Sequence, residues 1–578
     1  MEKLSVKELR DLNAGNVTAQ HLPRFAKMTS WFNPILLIKL LKPVILSGVF
    51  GQYADRRLIM AALDTATGDE HFARAVALKE ELPSDELWLD YVSDTGDGFD
   101  STYAIAHLLA QSELKIGEHT LKRGQVLTLG GDQVYPTANR YDYMLRFVKP
   151  FQFALPESKA EKNIPLFALP GNHDWYDGLV MFLAMFAREI PIPIGRWETR
   201  QLRSYFAAQL TEDIWLWGID IALVHDMDQP QNDYFVSIAS KMKEGSSIIL
   251  CSAEPGWYEG ETEGGAYETL GYIAYLANTV GKKLKIPLIL SGDSHHYARY
   301  ETKETQFITS GGGGAFSHGT LQLEEKLTLK WWRGSGNVPL ERRAAYPSEK
   351  DSKAELWKNV LFAPWNMLFS LGLGFTYFLA SLVYIFAPLP DSVVILFLLM
   401  TAGLWGYSLY QEHGASKNKT LFAAAVHSAA HISAIVGLTT VAICLANQFL
   451  PMASLHWAAP AIALLSYFLL VGGFVAGSIF GLNLLLSCRL LNMNHNDAFS
   501  SLRLKGYKHF LRIRIKGQSI TVFPIKLDNV PKRHDWVKNT PTTQNPSVFS
   551  APLNPELIEQ PISISLSQTI TTEEASPR

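Results

Sequence analysis

Apolar and polar positions divide this chain into regions of different period. Up to about residue 345, short apolar runs alternate with mixed stretches, and four of them stop at glycine beside a polar cluster. Leu87–Val92 leads into Ser93-Asp94-Thr95-Gly96-Asp97, and Gln125–Leu129 into Gly130-Gly131-Asp132-Gln133-Val134-Tyr135. Ile164–Leu169 leads into Pro170-Gly171-Asn172-His173-Asp174, and Ile286–Leu290 into Ser291-Gly292-Asp293-Ser294-His295-His296. A fifth run, Ile248–Cys251, is followed by Glu254. Short continuous apolar runs predict buried strands. Helix-like stretches between them, such as Tyr103–Gln111, predict a layered α/β domain with its polar residues at the strand ends. Glycine at each cluster suits tight turns and close backbone approach.

The pattern changes near residue 361. Four apolar stretches, about 365–388, 392–410, 421–447 and 457–488, are each long enough to cross a bilayer, which takes about 20 residues. Trp365, Tyr384, Tyr410 and Trp457 stand near their ends, as interface anchors do. The turns near 388–392 and 447–457 hold no Lys or Arg, whereas the 411–420 loop has Lys417 and Lys419. Arg342, Arg343, Lys350, Lys353 and Lys358 precede the first stretch; Arg489, Arg503, Lys505 and Lys508 follow the last. This bias predicts an integral membrane protein with its N-terminal domain and C-terminal tail in the cytoplasm. The stretches carry almost no charge, which argues against a transporter or channel. His427 and His431 share one face of the third stretch; the spacing suits a metal or haem ligand pair, or a polar face turned into the bundle with Ser428 and Ser433.

Outside these regions the patterns are weaker. Residues 31–50 are apolar but broken by Pro34, Lys39, Lys42 and Pro43, which predicts an amphipathic segment lying on a surface. From Leu502 to Asn529 apolar and polar residues alternate, with Lys516-Gly517-Gln518 as a hairpin turn. Residues beyond about 537 are rich in Ser, Thr and Pro and are expected to be disordered.

Composition sharpens two points. A net charge of −3 over 578 residues gives no reason to expect a nucleic-acid surface. Cys251, Cys444 and Cys488 are too scattered for a metal motif or a disulfide framework, which fits a reducing compartment. The opening Met1-Glu2-Lys3-Leu4 lacks the layout of a signal peptide.

Gly131-Asp132-x-x-Tyr135 with Gly171-Asn172-His173-Asp174 resembles the calcineurin-like metallophosphoesterase superfamily over roughly residues 85–315. The resemblance implies a double β-sheet sandwich flanked by helices, joined here to an α-helical transmembrane bundle. Asp94-Thr95-Gly96 resembles the Asp-x-Gly segment of purple acid phosphatases. By resemblance, Asp94 and His295 become ligands of a first metal, Asp132 the carboxylate bridging two metals, and Asn172 a ligand of the second. His173 becomes the residue that steadies the phosphoryl group or protonates the leaving group. Tyr135 matches a tyrosine that ligates ferric iron in purple acid phosphatases, or is a turn residue before Pro136. The domain division expected is a helical N-terminal segment 1–60, a metallophosphoesterase-like domain 61–345, a membrane domain 346–492, a small β unit 493–536 and a disordered tail 537–578.

Two departures from the superfamily pattern matter. Asp293 stands where the first His of Gly-His-x-His is expected, and no His stands near Ser252-Ala253-Glu254-Pro255 where a lone His is expected. Asp293 and Glu254 are the nearest substitutes, and such an oxygen-rich set favours Mn²⁺ or Mg²⁺, with Fe or Zn²⁺ as alternatives. Two cations about 3.5–4 Å apart lower the pKa of a shared water and neutralise phosphoryl oxygens during in-line attack. His296 is expected at the site mouth, and His318, after Gly311-Gly312-Gly313-Gly314, as a substrate contact. That glycine run is read either as a phosphate cradle or as a flexible turn. The expected function is a membrane-anchored phosphomonoesterase or phosphodiesterase acting on a phosphoester, lipid-linked or otherwise close to the membrane. The alternative is a degenerate, non-catalytic module that senses a phosphorylated ligand or binds a partner.

Overall fold

The computed structural model describes residues 25–50, 55–158, 160–222, 225–259, 265–281, 283–330, 337–386, 390–411, 416–449, 458–536, 549 and 551–566. Residues 1–24, Trp457 and most of the tail beyond 536 lie outside them, and so do the expectations placed there.

Two β-sheets face each other. In the first, Leu87–Val92, Val126–Leu129, Ile164–Ala168 and Trp197–Thr199 run parallel in that order. In the second, Ile214–Ile219, Ser247–Ser252, Lys285–Ser291 and Gln306–Ser310 run parallel, and Tyr297–Glu301 and Asn337–Tyr346 extend the sheet antiparallel. Each of the five sequence-predicted strands overlaps an observed one. Their apolar runs are continuous because both faces of each sheet are covered. Leu87, Leu89 and Tyr91 point between the sheets against Ile249, Leu288 and Leu290. Trp88 and Val92 point outward to the helix Phe99–Ala110. Trp215, Trp217 and Leu250 pack outward on the helices Gln229–Lys241 and Gly265–Thr279. The result is a helix–sheet–sheet–helix stack with every parallel strand ending on one rim.

The alternating segment expected as a separate β unit belongs to the first sheet. Lys508–Lys516 pairs antiparallel with Leu87–Val92, and Ser519–Leu527 pairs with Lys508–Lys516 across the two-residue turn Gly517-Gln518. Gly517 has φ +55°, the conformation such a turn demands. Part of the tail expected to be disordered is also structured: Glu556–Leu557 and Ile562–Ser565 pair with Ser519–Leu527. Ile562 and Ile564 alternate with polar neighbours and cover the apolar edge of the sheet, a period that overall composition conceals.

Asp90 and Arg512 are cross-strand partners in this pairing. The guanidinium donates to both carboxylate oxygens at 2.7 and 3.0 Å, and to the carbonyls of Leu109 and Leu121 at 3.3 Å. Arg512 is wholly buried and Asp90 nearly so. Among the described residues, four helices are long and apolar enough to cross a membrane: Met367–Phe386, Asp391–Tyr410, Lys417–Gln448 and Ala459–Leu491. The first and fourth meet at glycine: a Cβ on Gly374 would lie 2.4 Å from the Phe468 carbonyl oxygen. The segment 25–33 joins bundle and sheets. Phe32 packs edge-on to Phe362, Phe369 and Phe480, and the Thr29 amide donates to Asp97 at 2.9 Å.

Removing one member of a buried ion pair leaves an uncompensated charge, which costs about 3–5 kcal/mol. Arg512→Ala is therefore expected to destabilise the full chain by about that much, whereas the double replacement Asp90→Leu/Arg512→Met recovers most of the loss. Denaturant melts of the detergent-solubilised protein check both.

Candidate metal centre

The strand ends carry their polar residues on turns that hydrogen bonds hold in register. Beyond the first strand, the Asp94 amide donates to the Gly131 carbonyl at 3.0 Å and the Thr95 amide to the Asp132 carbonyl at 3.1 Å. Asp94, Asp132, Asp293 and His295 all have positive φ, between 45° and 65°. A left-handed backbone at a residue other than glycine costs roughly 1–3 kcal/mol, and such strain gathers at functional sites. Glycines make room for the carboxylates: a Cβ on Gly171 would lie 2.1 Å from Asp132 Oδ1, and one on Gly311 would lie 2.7 Å from Asp94 Oδ2. The glycine run 311–314 therefore backs Asp94. Its Gly313 amide donates to the Ser93 carbonyl at 2.9 Å, which is not the phosphate cradle considered from sequence.

Four candidate groups meet at one point. The Tyr135 hydroxyl lies 2.8 Å from Asp94 Oδ1, 3.0 Å from Asp132 Oδ2 and 2.9 Å from His295 Nε2. One hydroxyl has one proton to give, so another member of this group must also carry a shared proton. Burial, then the nearby Asp293 charge, raises the Asp94 carboxyl to about 8. Burial, followed by Asp94, Asp174 and Asp293, holds Asp132 well above the carboxylate range. Burial likewise raises Asp174 to about 7 while it accepts from the Gly171 and Gln133 amides and the Tyr143 hydroxyl. The buried cation nearby is Lys508, whose ammonium donates to the Ala315 carbonyl and Ser317 Oγ and is lowered to about 7 by burial.

His173 is half-buried beside this group. Its amide donates to Asp132 Oδ1 at 2.9 Å. Its Nδ1 lies 2.9 Å from the Pro136 carbonyl oxygen, which can only accept, so Nδ1 carries the proton and Nε2 has the lone pair. Burial lowers this imidazole to about 4. Trp31 stands edge-on to His173 at 5.6 Å, and Tyr176 at 4.8 Å.

The residues expected for a second cation are arranged less tightly. Asn172, on the first turn of a short helix, is exposed. Asp293 is exposed, and its amide donates to Asp94 Oδ2 at 2.9 Å. Glu254 is engaged by His225, whose Nδ1 lies 2.6 Å from Oε1. His318 is close to the centre, its ring 5.0 Å from that of His295. His296 corrects the expectation of a mouth residue: it is 1 % exposed and its ring is nearly parallel to Tyr258 at 6.2 Å. It follows His295 on a chain entering a strand, so the two side chains diverge and His296 falls into the packed interior.

Sequence reasoning missed His225, Lys508 and Trp31, and left Tyr135 between two readings. A signal existed only for His225, which follows a buried strand in Val224-His225-Asp226. The others come from distant parts of the chain.

Among the described residues, no three His, Cys, Asp or Glu side chains stand in ready-made coordination; the Tyr135 hydroxyl occupies the point that Asp94, Asp132 and His295 share. The donor set nonetheless fits a cation. Two fully buried carboxylates, a neutral imidazole and a phenol converge, the carboxyls are held up by burial and mutual repulsion, and among the described residues no cationic side chain bonds to either of them.

A two-sheet α/β stack with a carboxylate–histidine cluster on its parallel strand ends defines a metallophosphoesterase-type domain. Residues 87–297 match the family model of the calcineurin-like phosphoesterases, and the chain carries a domain of that family there. Among solved structures, it is similar to GAP50, the anchor in the inner membrane complex of Plasmodium. The identity is 14%, covering 41% of this chain and 74% of that one, with a TM-score of 0.29. It is also similar to PhoD, with 10% identity, 39% and 56% coverage and a TM-score of 0.27. No curated protein matches significantly.

The raised carboxyls set a pH dependence for the chelator-treated protein. A carboxyl near 8 or 7 when folded and near 3.9 when unfolded binds more protons in the folded state, so its contribution to stability grows as pH falls through the folded value. The buried histidines act oppositely, but only below about 6.5, where the unfolded chain takes up protons. Lys508 and Lys149, at about 7 and about 8 when folded and about 10.4 when unfolded, oppose the trend above those values, but Asp94 and Asp174 together with Asp132, raised well above its ordinary range, outweigh them. Melting temperature without divalent cations is expected to rise from pH 8.5 to 6.5. Asp94→Asn should flatten that slope, and saturating Mn²⁺ should remove it.

Proposed function

We propose that this protein is a membrane-anchored, metal-dependent phosphohydrolase acting on a phosphomonoester or phosphodiester. The observation that carries the reading is the convergence of Asp94, Asp132 and His295 on the Tyr135 hydroxyl within 3.0 Å. Asp94 and His295, with Tyr135, would hold a first divalent ion. Asp132 would be shared, and Asn172, Asp293 and Glu254 would hold a second ion once Glu254 leaves His225. The oxygen-rich second set favours Mn²⁺ or Mg²⁺, with Fe or Zn²⁺ as the alternatives. When bound, the ions supply charge neutralisation at the phosphoryl oxygens and an acidified water.

The chain's own residues do the rest. The His173 amide fixes Asp132, and the Pro136 carbonyl fixes the His173 tautomer, so that Nε2 is the atom for steadying the phosphoryl group or exchanging a proton with the leaving group. His318, beside His295, is the nearer candidate for substrate contact; His296 would act only from behind it. Trp31 and Phe316 shield the cluster from bulk water on one side.

The reading includes a place. The four apolar helices anchor the domain, and the Lys and Arg distribution supports a cytoplasmic side for the catalytic domain and C-terminal tail. Phe32 packs on Phe369 and Phe480 of the apolar helices while the adjoining Trp31 lies edge-on to His173 at 5.6 Å, so the candidate site lies beside the bundle. That proximity supports a substrate at or in the membrane, such as a lipid-linked phosphate. The domain division carried forward is a helical N-terminal segment, a phosphoesterase domain and a membrane domain, with the strands after residue 507 completing the phosphoesterase domain.

A second reading rests on the Glu254–His225 pair at 2.6 Å: with Glu254 held and Asn172 and Asp293 turned outward, the domain would be a non-catalytic sensor of a phosphorylated ligand. Hydrolysis of aryl phosphates by Mn²⁺-reconstituted protein separates the two. Asp132→Ala is expected to abolish turnover, and His173→Ala to lower kcat by about 10²–10⁴-fold. Activity unchanged in both variants would sink the hydrolase reading. Fewer than two ions per chain together with no turnover would favour the non-catalytic reading.

A further inference from the structure

The apolar bundle contains a polar interior that an anchor does not need. On the helix Lys417–Phe449 the buried polar residues are Thr420, His427, Ser428, His431 and Thr439. They share one side of the helix over 19 residue steps, about 29 Å at 1.5 Å per residue, close to the ~30 Å of a hydrocarbon core. The first apolar helix adds buried Ser370, Tyr377 and Ser381, and the second adds Ser392, Thr401 and Ser408.

At the centre of this seam three side chains form a continuous hydrogen-bonded chain. The Tyr377 hydroxyl lies 2.5 Å from His431 Nδ1, and His431 Nε2 lies 2.9 Å from His427 Nε2. His431 thus uses both ring nitrogens in line, one as donor and one as acceptor. On the second and third apolar helices, the hydroxyls of Ser392, Thr401 and Ser428 are buried with no partner among the described residues. An unpaired hydroxyl in an apolar interior costs about 1–3 kcal/mol, and such groups are ordinarily satisfied by ordered water.

Two other uses of the histidine pair fit less well. A tetrahedral metal 2.0–2.1 Å from two imidazole nitrogens holds them roughly 3.3 Å apart, and structural sites take four ligands. Here the nitrogens are at hydrogen-bond distance, and the described residues bring no third His, Cys, Asp or Glu to them. Packing alone would be met by one partner per ring; the hydroxyls of Ser370, Ser381, Thr420 and Thr439 donate to backbone carbonyls, but packing gives no reason for the unpaired ones at Ser392, Thr401 and Ser428.

We propose that this seam is a proton pathway through the bundle, with Tyr377, His431 and His427 as its central relay. A proton arriving at His427 Nδ1 is matched by transfer of the Nε2 proton to His431 Nε2. His431 passes its Nδ1 proton to the Tyr377 oxygen, whose own proton leaves toward the hydroxyls beyond. One proton enters and one leaves, every group keeps its proton count, and rotation of the rings and hydroxyl restores the starting order. The near-absence of Asp, Glu, Lys and Arg in the spans argues against an ion channel or a transporter, but a relay of imidazoles and hydroxyls needs no such charge. The inference is independent of phosphoester hydrolysis, because the relay lies outside the strand-end site.

The test uses the full chain in liposomes with a trapped pH-sensitive dye and a potassium–valinomycin potential. Wild type is expected to acidify or alkalinise the lumen about tenfold faster than protein-free vesicles, since buried ionisable groups in a bundle mark ion and proton paths. Tyr377→Phe, which keeps the ring and its packing, and His431→Ala are both expected to return the rate to the protein-free value. Size-exclusion profiles confirm that the Tyr377→Phe protein is folded. Wild-type flux equal to that of empty vesicles, or flux undiminished in folded Tyr377→Phe, overturns the proposal. So does one equivalent of metal present in wild type and lost in His427→Ala, which would make the pair a metal site.

Discussion

The pairing of Lys508–Lys516 with Leu87–Val92, clamped by the buried Asp90–Arg512 ion pair, is the constraint on which the other features rest. The chain leaves the second sheet at Tyr346, makes its apolar bundle, and returns to cover the open edge of the first sheet. Without that return, Leu87–Val92 would be an edge strand with Asp90 buried and unpaired. The turn bearing Asp94 would also lose its backing, because the His509 amide holds the Gly312 carbonyl and Lys508 holds the Ala315 carbonyl. The bundle is therefore an insertion within the sheet's own hydrogen-bond network, and site and bundle are mechanically one object.

The candidate site is unevenly held. Asp94, Asp132 and Tyr135, on first-sheet turns, and His295, on the turn after the second-sheet strand Lys285–Ser291, are buried and closely hydrogen-bonded. Asn172, after the first-sheet strand Ile164–Ala168, and Asp293, two residues before His295, face outward, and Glu254 is diverted by His225. Burial concentrates negative charge in the buried group, and the left-handed backbone at its carboxylates and imidazole stores strain that only a well-supported turn can hold. Together these are properties that suit the cation site proposed above.

The segment 25–33 adds a second link between bundle and site. Phe32 sits among bundle phenylalanines while the adjoining Trp31 lies against Tyr135 and His173. Aromatic packing of this kind transmits position because a close-packed interior resists small displacements. The polar seam of the bundle touches the same cluster, since the His427 ring lies 5.8 Å from that of Phe480.

Much of this was legible in the sequence, and the reason is local. The run Leu87–Val92 reads as a strand because every residue in it is buried, and Asp94, Asp132 and His173 stand out as candidates because the turn that needs glycine and the polar residue beside it are neighbours in sequence. The four apolar helices were legible because crossing length is a property of consecutive residues. What only the tertiary structure decided involves partners far apart. Arg512 meets Asp90 across 422 positions, and Tyr135 leaves the status of a turn residue by meeting His295 across 160. His225 captures Glu254, His296 turns inward where His295 turns to the site, and Ile562 and Ile564 fix on the sheet one segment of a tail whose composition suggests disorder. Local pattern determined which segments are strands, helices and candidate ligands. Long-range burial and charge pairing decided which of those ligands share one site, because those energies depend on distances that no short stretch of sequence contains.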